Sequence, residues 1–387
     1  MIGRVLLVLA CLAGSGCGVT EKVTGYFTGG KDNVEPPAPL VEFPIRLNVI
    51  RLWSENTGGP DKQYLKLAPA VAGQRVFITN PQGGLRALDA TNGRKLWHAE
   101  LDEPVTGGPG VGQNSVLLGT GKGEVISVNA ETGRVEWRGR VSSEVLSPPL
   151  RQDNTVVART NDGKIYGLDA DRGKPLWIYD RTVPPLTLRG TSAPVISAGI
   201  VIAGFDGGRL AALDLRTGRL LWETAVAAAR GRSELERMVD IDSDPLVFEG
   251  VAYVVSFQGQ LAAVQIETGR ILWSRDMSSY AGFSADERYL YLADDDSHLR
   301  AFDRFTGSAV WSNEKLHARA ATGPASIGGY VVAGDVEGYL HWLDKETGDF
   351  VARQRLCDKR IIVQPLVVGK ILYAYCSDGT LAAYTYR

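Results

Sequence analysis

Residues 132–137 read TGRVEW, and this T-G-x-x-x-W pattern returns at intervals along the chain. Glycine and tryptophan recur four residues apart in units that end at Trp97, Trp137, Trp177, Trp222, Trp273 and Trp311. A seventh unit contains Thr347 and Gly348 but has Ala352 where the tryptophan is expected. Short β-branched and aromatic runs separated by turns surround each unit, and no segment keeps a helical apolar period. Evenly spaced strands with a periodic glycine and aromatic motif are typical of β-propeller blades.

The two ends of the chain complete the blade count. Residues 371–384 contain two strand-like runs and then stop without an outer strand, whereas residues 48–53 read as an outer strand with no blade before it. Joining them forms an eighth blade and closes the ring, which removes exposed strand edges. We therefore predict an all-β fold over residues 45–387. It is an eight-bladed β-propeller with four antiparallel strands per blade, closed by the N-terminal strand that completes the last blade.

The repeated glycine and tryptophan belong to the scaffold. A glycine at this position supplies the positive φ that a tight turn requires, and we expect each tryptophan to pack between neighbouring blades. The motif therefore predicts architecture and identifies no site.

The N-terminus has the composition of an export signal. An apolar run follows Arg4 and ends in small residues before Cys17, and it is too short to cross a bilayer. We predict a lipoprotein signal peptide over residues 1–16 and lipidation at Cys17. Gly14 stands where the cleavage motif usually has leucine, so Cys11 and plain secretion remain alternatives. Residues 17–44 are predicted to be the lipidated cysteine and a flexible tether, since they are polar and rich in Gly and Pro.

Composition and motifs argue against several classes of function. The 387-residue chain has a net charge of −2 with scattered Lys and Arg, unlike the basic footprint of a nucleic-acid-binding protein. Its histidines have no metal-ligand spacing, and no P-loop, zinc or nucleophile-elbow motif is present. Residues 294–296 are all Asp, but they occupy a blade turn and lack the spaced ligands of a calcium loop. We predict no enzymatic activity, no cofactor and no metal.

Two connections interrupt the regular repeat. Trp177 and Pro194 are 17 residues apart and Trp222 and Pro245 are 23 apart, whereas four regular units have a spacing of 12 or 13. Both connect an outer strand to the next inner strand, so they are expected side by side on one face of the ring. Insertions in repeat proteins commonly form a binding face.

The two long connections contain the candidate contact residues. Leu186 and Leu188 alternate with polar residues, which favours a contact surface in an extended segment. Asp240 and Asp242 would place carboxylates beside them. The alternative is that the leucines cap the blade below and the acidic side chains are only solvated.

Cys357 and Cys376 are candidates for a disulfide. Cys357 precedes the last blade and Cys376 follows its second strand, so a hairpin would bring them to one side. An oxidising compartment would allow them to pair.

The chain resembles the BamB lipoprotein family of the outer-membrane β-barrel assembly machinery. The most specific match is GDVEGYLHW at residues 334–342, which is similar to the family's G-D-x-E-G-Y-L-H-W. LTLRGTSAP at 186–194 resembles its L-x-L-R-G-x-S-A-P, and residues 240–242 resemble its D-x-D. The resemblance implies a lipid-anchored, eight-bladed propeller on the periplasmic side of the outer membrane.

The resemblance also implies a partner. The family binds the periplasmic POTRA domains of the central barrel protein, BamA, within a complex that handles nascent outer-membrane proteins. Carried over by position, the contact candidates are Leu186, Leu188, Arg189, Asp240 and Asp242. The two aspartates either pair with basic groups of the partner or orient Arg189. We expect a non-enzymatic scaffold subunit of the BAM complex that docks on these domains.

Two other functions fit the same architecture. The blade repeat also occurs in quinone-cofactor (PQQ) alcohol dehydrogenases, which are longer and carry adjacent cysteines that this chain lacks. A propeller that binds a quinone cofactor is therefore one alternative. A general periplasmic holdase that offers blade edges to unfolded β-barrel clients is the other.

Overall fold

A computed structural model describes residues 35–58, 65, 67–181, 192–227, 239–241, 243–257 and 259–387. The elements within these ranges are all β-strands. No helix there is long and apolar enough to cross a membrane.

The strands form eight sheets of four, which we number as blades in chain order. Blade one contains β2 (Ala70–Ala72), β3 (Arg75–Thr79), β4 (Gly84–Asp89) and β5 (Lys95–Glu100). Blade two contains β6 (Val105–Gly112), β7 (Ser115–Thr120), β8 (Glu124–Asn129) and β9 (Val135–Arg140). Blade three contains β10 (Leu150–Gln152), β11 (Thr155–Arg159), β12 (Ile165–Asp169) and β13 (Pro175–Tyr179). Blade four contains β14 (Val195–Ser197), β15 (Ile200–Phe205), β16 (Arg209–Asp214) and β17 (Leu220–Ala225).

The second half of the ring repeats this arrangement. Blade five contains β18 (Leu246–Phe248), β19 (Val251–Val255), β20 (Gly259–Gln265) and β21 (Ile271–Met277). Blade six contains β22 (Phe283–Ala285), β23 (Tyr289–Ala293), β24 (Leu299–Asp303) and β25 (Ala309–Asn313). Blade seven contains β26 (Ala325–Ile327), β27 (Tyr330–Gly334), β28 (Tyr339–Asp344) and β29 (Phe350–Arg355). Blade eight contains β30 (Leu366–Val368), β31 (Ile371–Tyr375), β32 (Thr380–Tyr386) and β1 (Val49–Asn56).

The predicted closure of the ring is confirmed. In blade eight the sheet order is β1-β32-β31-β30, and β1 runs antiparallel to β32 from Val49 opposite Tyr386 to Asn56 opposite Thr380. A shared core then joins this blade to blade one, where Tyr373 and Tyr375 pack with Val76 and Ile78. The two ends of the propeller are thus held in one sheet, and the fold is the predicted eight-bladed propeller.

Burial decreases from the centre of a blade to its rim. The second strand of blade two, β7, is buried along its whole length, whereas its outer strand, β9, buries only Trp137 and Gly139. Blades therefore bury apolar side chains against one another through their inner strands and expose their outer strands, which is the arrangement that the strand patterns predict.

Each repeat tryptophan links its blade to the next one. The Trp137 ring lies so close to Gly173 of blade three that an added Cβ would be 2.3 Å from it, and Trp137 Nε1 donates to Ala170 O at 2.7 Å. The same ring-on-glycine contact and indole hydrogen bond recur at Trp53, Trp97, Trp177, Trp222, Trp273 and Trp311. Each hydrogen bond contributes about 1 kcal/mol, and the glycine is required by both its positive φ and the ring.

The exception at Ala352 has a structural cause. A tryptophan there would face blade eight, whose third strand, β32, ends near the C-terminus while its fourth, β1, comes from the N-terminus. No turn connects those two strands, so no turn glycine exists to receive an indole ring. Ala352 is instead buried in the core that blades seven and eight share.

The connections define two faces of the ring. Because neighbouring strands are antiparallel, the connection from an outer strand to the next inner strand lies at the same end of the blades as the turn between second and third strands. We call this end the loop face. Both long connections lie on it, as does the turn that contains Asp335.

A segment before β1 lies along blade seven. The compact propeller unit begins at Pro37, so residues 37–44, which the sequence assigns to the tether, are part of it. Ala38 N donates to His317 O at 3.1 Å on the loop face, and Arg46 N donates to Val351 O of β29 at 2.9 Å. Residues 37–47, named here the N-terminal segment, therefore run down the outer edge of blade seven before β1 returns.

Candidate partner-docking site

The two long connections are neighbours on the loop face. The first spans 180–194 between β13 and β14, and the second spans 226–245 between β17 and β18. Several predicted residues, Leu186, Leu188, Arg189 and Asp242, lie outside the described residues, as does Cys17. The site is therefore built from the described ends of both connections and the blades beneath them.

Those ends are joined directly. Ala193 N donates to Asp244 Oδ1 at 2.6 Å, which ties the end of the first connection to the end of the second. Gly204 of β15 lies beneath both, since a Cβ added there would be 2.4 Å from Ile241 and 3.2 Å from Ser192 Oγ. The predicted adjacency of the two connections holds at these ends.

Asp240 is buried rather than presented to solvent. Its residue is only 4% exposed, and Oδ1 accepts a hydrogen bond from Gly207 N in the blade-four turn at 3.0 Å. Its carbonyl oxygen accepts from Phe257 N of blade five at 3.0 Å. Asp240 thus bridges two blades at the base of the second connection.

Two arginines stack on one phenylalanine at the base of the first connection, namely Arg159 from blade three and Arg181 from the start of the connection itself. The guanidinium of Arg159 lies 5.0 Å from the Phe205 ring centre, and that of Arg181 lies 5.2 Å from it. Arg159 is 3% exposed, and its Nη1 donates to the Ser192 carbonyl oxygen at 3.2 Å and to Ser192 Oγ at 2.9 Å. Cation–π contacts strengthen when desolvated, so this stack holds the end of the first connection on blade four.

Asp206 faces the same cluster. Burial raises the pKa of Asp206 above its ordinary value, the Asp240 carboxylate raises it further, and Arg159 and Arg181 oppose both effects. Arg181 also pairs with Glu223 at 3.4 Å. The base of the two connections is therefore a mixed-charge cluster that contains Arg159, Arg181, Asp206, Glu223 and Asp240.

Sequence reasoning missed this cluster. Arg159 ends the second strand of blade three and Phe205 ends that of blade four, positions that the repeat places at the loop face. The signal was an arginine at the end of an otherwise apolar inner strand, where a charged group requires a partner.

The signature segment 334–342 lies elsewhere, at the N-terminal segment. Asp335 is fully buried, and its Oδ2 accepts from Arg319 Nε at 2.8 Å and from His341 Nε2 at 2.9 Å. Arg319 also pairs with Glu337 and donates to Ala38 O at 2.7 Å, while Arg353 donates to Val41 O at 3.0 Å. We call Arg319, Asp335, Glu337, His341 and Arg353 the buried network.

The hydrogen bonds of the buried network favour a neutral His341. With its proton on Nε2 the ring donates to Asp335, and its Nδ1 accepts from Arg353 Nε at 3.4 Å. Burial lowers the pKa of His341, and the Asp335 carboxylate opposes that shift without reversing it. For Asp335, burial alone would raise the pKa, but the hydrogen bonds from His341 and Arg319 lower it. The network therefore holds a carboxylate and a neutral imidazole.

Comparison with known proteins assigns the family. The family model described as outer membrane protein assembly factor BamB matches residues 81–313 and 297–387. The chain belongs to this family. It is 53% identical over 333 residues to the BamB of Alkalilimnicola ehrlichii, with 86% of this chain and 87% of the relative covered. It is 47% identical to that of Pseudomonas aeruginosa, with 94% and 96% covered.

Solved structures agree with the BamB assignment. The crystal structure of BamB from Moraxella catarrhalis matches with a TM-score of 0.78 at 29% identity, covering 89% of this chain and all of that one. A quinohemoprotein alcohol dehydrogenase from Comamonas testosteroni matches with a TM-score of 0.70 but only 13% identity, covering 87% and 76%. The second likeness shows a shared propeller fold alone.

Other residues that the sequence singled out have structural roles in this BamB-family chain. Asp294 Oδ1 accepts from Asp296 N and His298 N, and Oδ2 accepts from Arg300 Nε at 2.7 Å, so this carboxylate organises its turn. Two of the histidines are neighbours in space although they are far apart in the sequence. Nδ1 of His317 lies 3.2 Å from Nε2 of His298.

Cys357 and Cys376 form a disulfide in the structure. Next to it, Ile361 pairs with Cys376 as an isolated antiparallel bridge. The disulfide therefore fastens the connection that enters blade eight to the end of β31.

Proposed function

We propose that this chain is a non-enzymatic scaffold subunit of the outer-membrane β-barrel assembly complex, docking on the POTRA domains of the BamA-type barrel protein. In this role it assists the folding and insertion of nascent outer-membrane proteins. The observation that carries the proposal is the BamB family assignment, which extends over most of the chain. The two long connections, joined at Ala193 and Asp244, supply the docking surface.

The candidate residues divide by burial. Leu186 and Leu188 would supply apolar anchors and Arg189 a multi-donor contact, since arginine is enriched at interface hot spots. Asp242 would pair with basic groups of the partner. Asp240, at 4% exposure, supports the connection from below and orients the residues above it.

The proposed function includes a lipid anchor. Lipidation at Cys17 would hold the chain at the outer membrane, facing the periplasm. Ala38 contacts the loop face through His317 and Arg319.

We propose no catalytic role for this chain. The described ends of the long connections contain the partly exposed ion pair of Arg181 with Glu223 and the hydrogen bonds of Asp240 and Asp244 to backbone nitrogens. The dehydrogenase likeness rests on fold alone, at 13% identity.

Co-purification from membranes with the barrel protein tests the docking surface. Leu188→Asp combined with Asp242→Arg is expected to reduce recovered partner by about tenfold or more, because hot-spot losses of about 2 kcal/mol each are usual. Leu52→Asp combined with Glu55→Arg is the matched control, with the same kinds of change on the outer strand of blade eight, across the ring. Full recovery of the partner by the folded Leu188 and Asp242 variant would overturn the site assignment.

A further inference from the structure

Two histidines meet on the loop face of blade six. His298 directly precedes β24, and His317 lies 19 residues later in the connection from β25 to β26. Their ring centres are 5.3 Å apart, and His317 Nδ1 lies 3.2 Å from His298 Nε2. Spacing along the chain does not reveal this pair, which forms only where the connection packs against the turn before β24.

The backbone holds the turn and the connection together. Ala318 N donates to Asp296 O at 3.1 Å. Ala321 N donates to the hydroxyl oxygen of Ser297, a buried residue, at 3.1 Å. The two ring nitrogens are therefore held near each other before any ligand binds, which reduces the entropic cost of binding.

Asp294 lies behind the His298 ring. Its Oδ2 is 3.4 Å from His298 Nδ1, and the two side chains are only 10% and 15% exposed. A metal-ligating histidine usually donates its other ring N–H to a carboxylate, which fixes the tautomer and makes the ligating nitrogen more basic. Arg300 Nη2 lies 3.5 Å from the same nitrogen, but Arg300 Nε donates to Asp294 Oδ2 at 2.7 Å, so the carboxylate balances its charge. This arrangement favours a lone pair on His298 Nε2, directed towards His317.

The separation of the two nitrogens fits a shared metal ion. Zn²⁺ binds imidazole nitrogen at about 2.0–2.1 Å, so two such ligands of a tetrahedral ion are about 3.3 Å apart. The 3.2 Å between His298 Nε2 and His317 Nδ1 agrees with that value. A hydrogen bond between the two rings gives a similar distance, and the surrounding donors distinguish the two arrangements.

A second carboxylate lies within reach of the histidines. Donor atoms of Asp294, Asp296 and His298 all lie within 4.8 Å of one another, and the exposed side chain of Asp296 is able to turn towards the ring. The charged residues that line the adjoining surface depression are four aspartates and one arginine, namely Asp276, Asp294, Asp295, Asp296 and Arg300. An excess of carboxylates in a depression raises the local concentration of cations.

We propose that His298 Nε2 and His317 Nδ1 bind one divalent transition-metal ion of the zinc class. Asp296 is the third protein ligand, and Asp294 orients His298 from behind. Imidazole suits Zn²⁺, Cu²⁺ and Ni²⁺, whereas Mg²⁺ and Ca²⁺ prefer sites made of oxygen. A metal here contradicts the expectation from sequence, which rested on spacing alone. The site fastens the connection after β25 to the turn before β24, and it is independent of the docking connections.

Zinc titration of the purified full-length protein, prepared without a polyhistidine tag and stripped with EDTA, tests the site. Isothermal titration calorimetry should show one saturable Zn²⁺ site per chain. His298→Gln combined with His317→Gln should weaken zinc binding by at least about tenfold, since even the loss of an outer-shell partner weakens it by about that factor. His98→Gln is the matched control, because His98 pairs with Glu100 at 2.9 Å on blade one, and it should change zinc affinity by less than about twofold.

Two carboxylate variants test the third ligand without altering the histidines. Asp296→Asn should weaken zinc binding about tenfold. Asp295→Asn removes the same charge from the neighbouring exposed residue of the same turn, and it should change zinc affinity by less than about twofold.

Zinc should also stabilise the fold. An ion that binds the native protein and not the unfolded chain raises the free energy of unfolding. Saturating Zn²⁺ should therefore raise the thermal midpoint of wild type, EDTA should reverse the rise, and the double histidine variant should show no shift. An equal concentration of Mg²⁺ or Ca²⁺ should leave zinc bound.

Four results would overturn the proposal. They are the absence of saturable zinc binding by wild type, undiminished zinc binding by the folded double histidine variant, equal weakening by the Asp295 and Asp296 variants, and displacement of zinc by an equal concentration of Ca²⁺. The last result would assign cation binding to the aspartates alone. Circular dichroism spectra and thermal midpoints in EDTA that match those of wild type show that each variant is folded.

Discussion

The outer strands of blades three and seven occupy equivalent positions and are treated in opposite ways. In blade three, β13 is fixed to its neighbour by Trp177 on Gly218 and leaves its apolar flank exposed. In blade seven, β29 has Ala352 in place of that tryptophan and is covered by the N-terminal segment. Within the described ranges, the edge of blade three is not covered by another segment, whereas the edge of blade seven is covered by the N-terminal segment.

This difference shows that specific polar groups decide whether the outer edge of a blade is covered. The N-terminal segment is held by carbonyl contacts from Arg319 to Ala38 and from Arg353 to Val41, and both arginines belong to the buried network. In the described part of blade three, the buried arginine, Arg159, points instead to the loop face and supports a connection.

Arg319→Met should lower the free energy of unfolding more than the other substitutions. The substitution removes a cationic partner from the buried carboxylate of Asp335, and such a loss typically lowers the free energy of unfolding by about 3–5 kcal/mol. Urea denaturation should show this loss, and limited proteolysis should cut the released N-terminal segment sooner. Arg355→Met is the control, because its pair with Asp358 is exposed and such pairs contribute up to about 1 kcal/mol. Equal losses in the two variants would contradict the assigned role of the network.

His341→Gln should change the pH dependence of stability. The folded-state pKa of His341 is lowered, so the unfolded chain binds the extra proton first as pH falls below about 6.5, and the unfolding free energy decreases. The lowered pKa of Asp335 adds a loss at more acidic pH, as that carboxylate is protonated.

Denaturation at several pH values between about 5 and 8 measures that slope. The glutamine side chain of the variant does not titrate, so the slope should be shallower than that of wild type, after a cost of about 1 kcal/mol at about pH 8 for an altered hydrogen bond. Parallel slopes in wild type and variant would show that His341 does not carry the acid sensitivity of blade seven.

Ile178→Lys should give the smallest effect on stability. The side chain is 52% exposed, so the unfolding free energy should change by no more than about 0.5 kcal/mol. Val351→Lys, at a 4% exposed position of β29, should cost several times more, about 3 kcal/mol, because it buries a charge beneath the N-terminal segment. If thermal or urea unfolding gave similar losses of unfolding free energy for the two variants, the two edges would not differ in burial as described.

The sequence predicted much of the fold because its signals are local. Each Gly-x-x-x-Trp unit reports a turn and a strand within a few residues, and the two incomplete ends of the chain supply the blade that closes the ring. The adjacency of the long connections was also predictable, and it holds where Ala193 meets Asp244. The buried role of Asp240 was not predictable, because exposed and bridging aspartates have the same local pattern.

By itself the sequence determined the repeat, the ring and the two connections that interrupt it, since spacing along the chain is enough to place them. Only the tertiary structure decided which edges are covered. Ala38 and Arg319 are far apart in sequence, as are Val41 and Arg353, and no periodicity links them. The same holds for the stack of Arg159 and Arg181 on Phe205. Contacts of this kind depend on three-dimensional packing and on the cost of burying a charge without a partner.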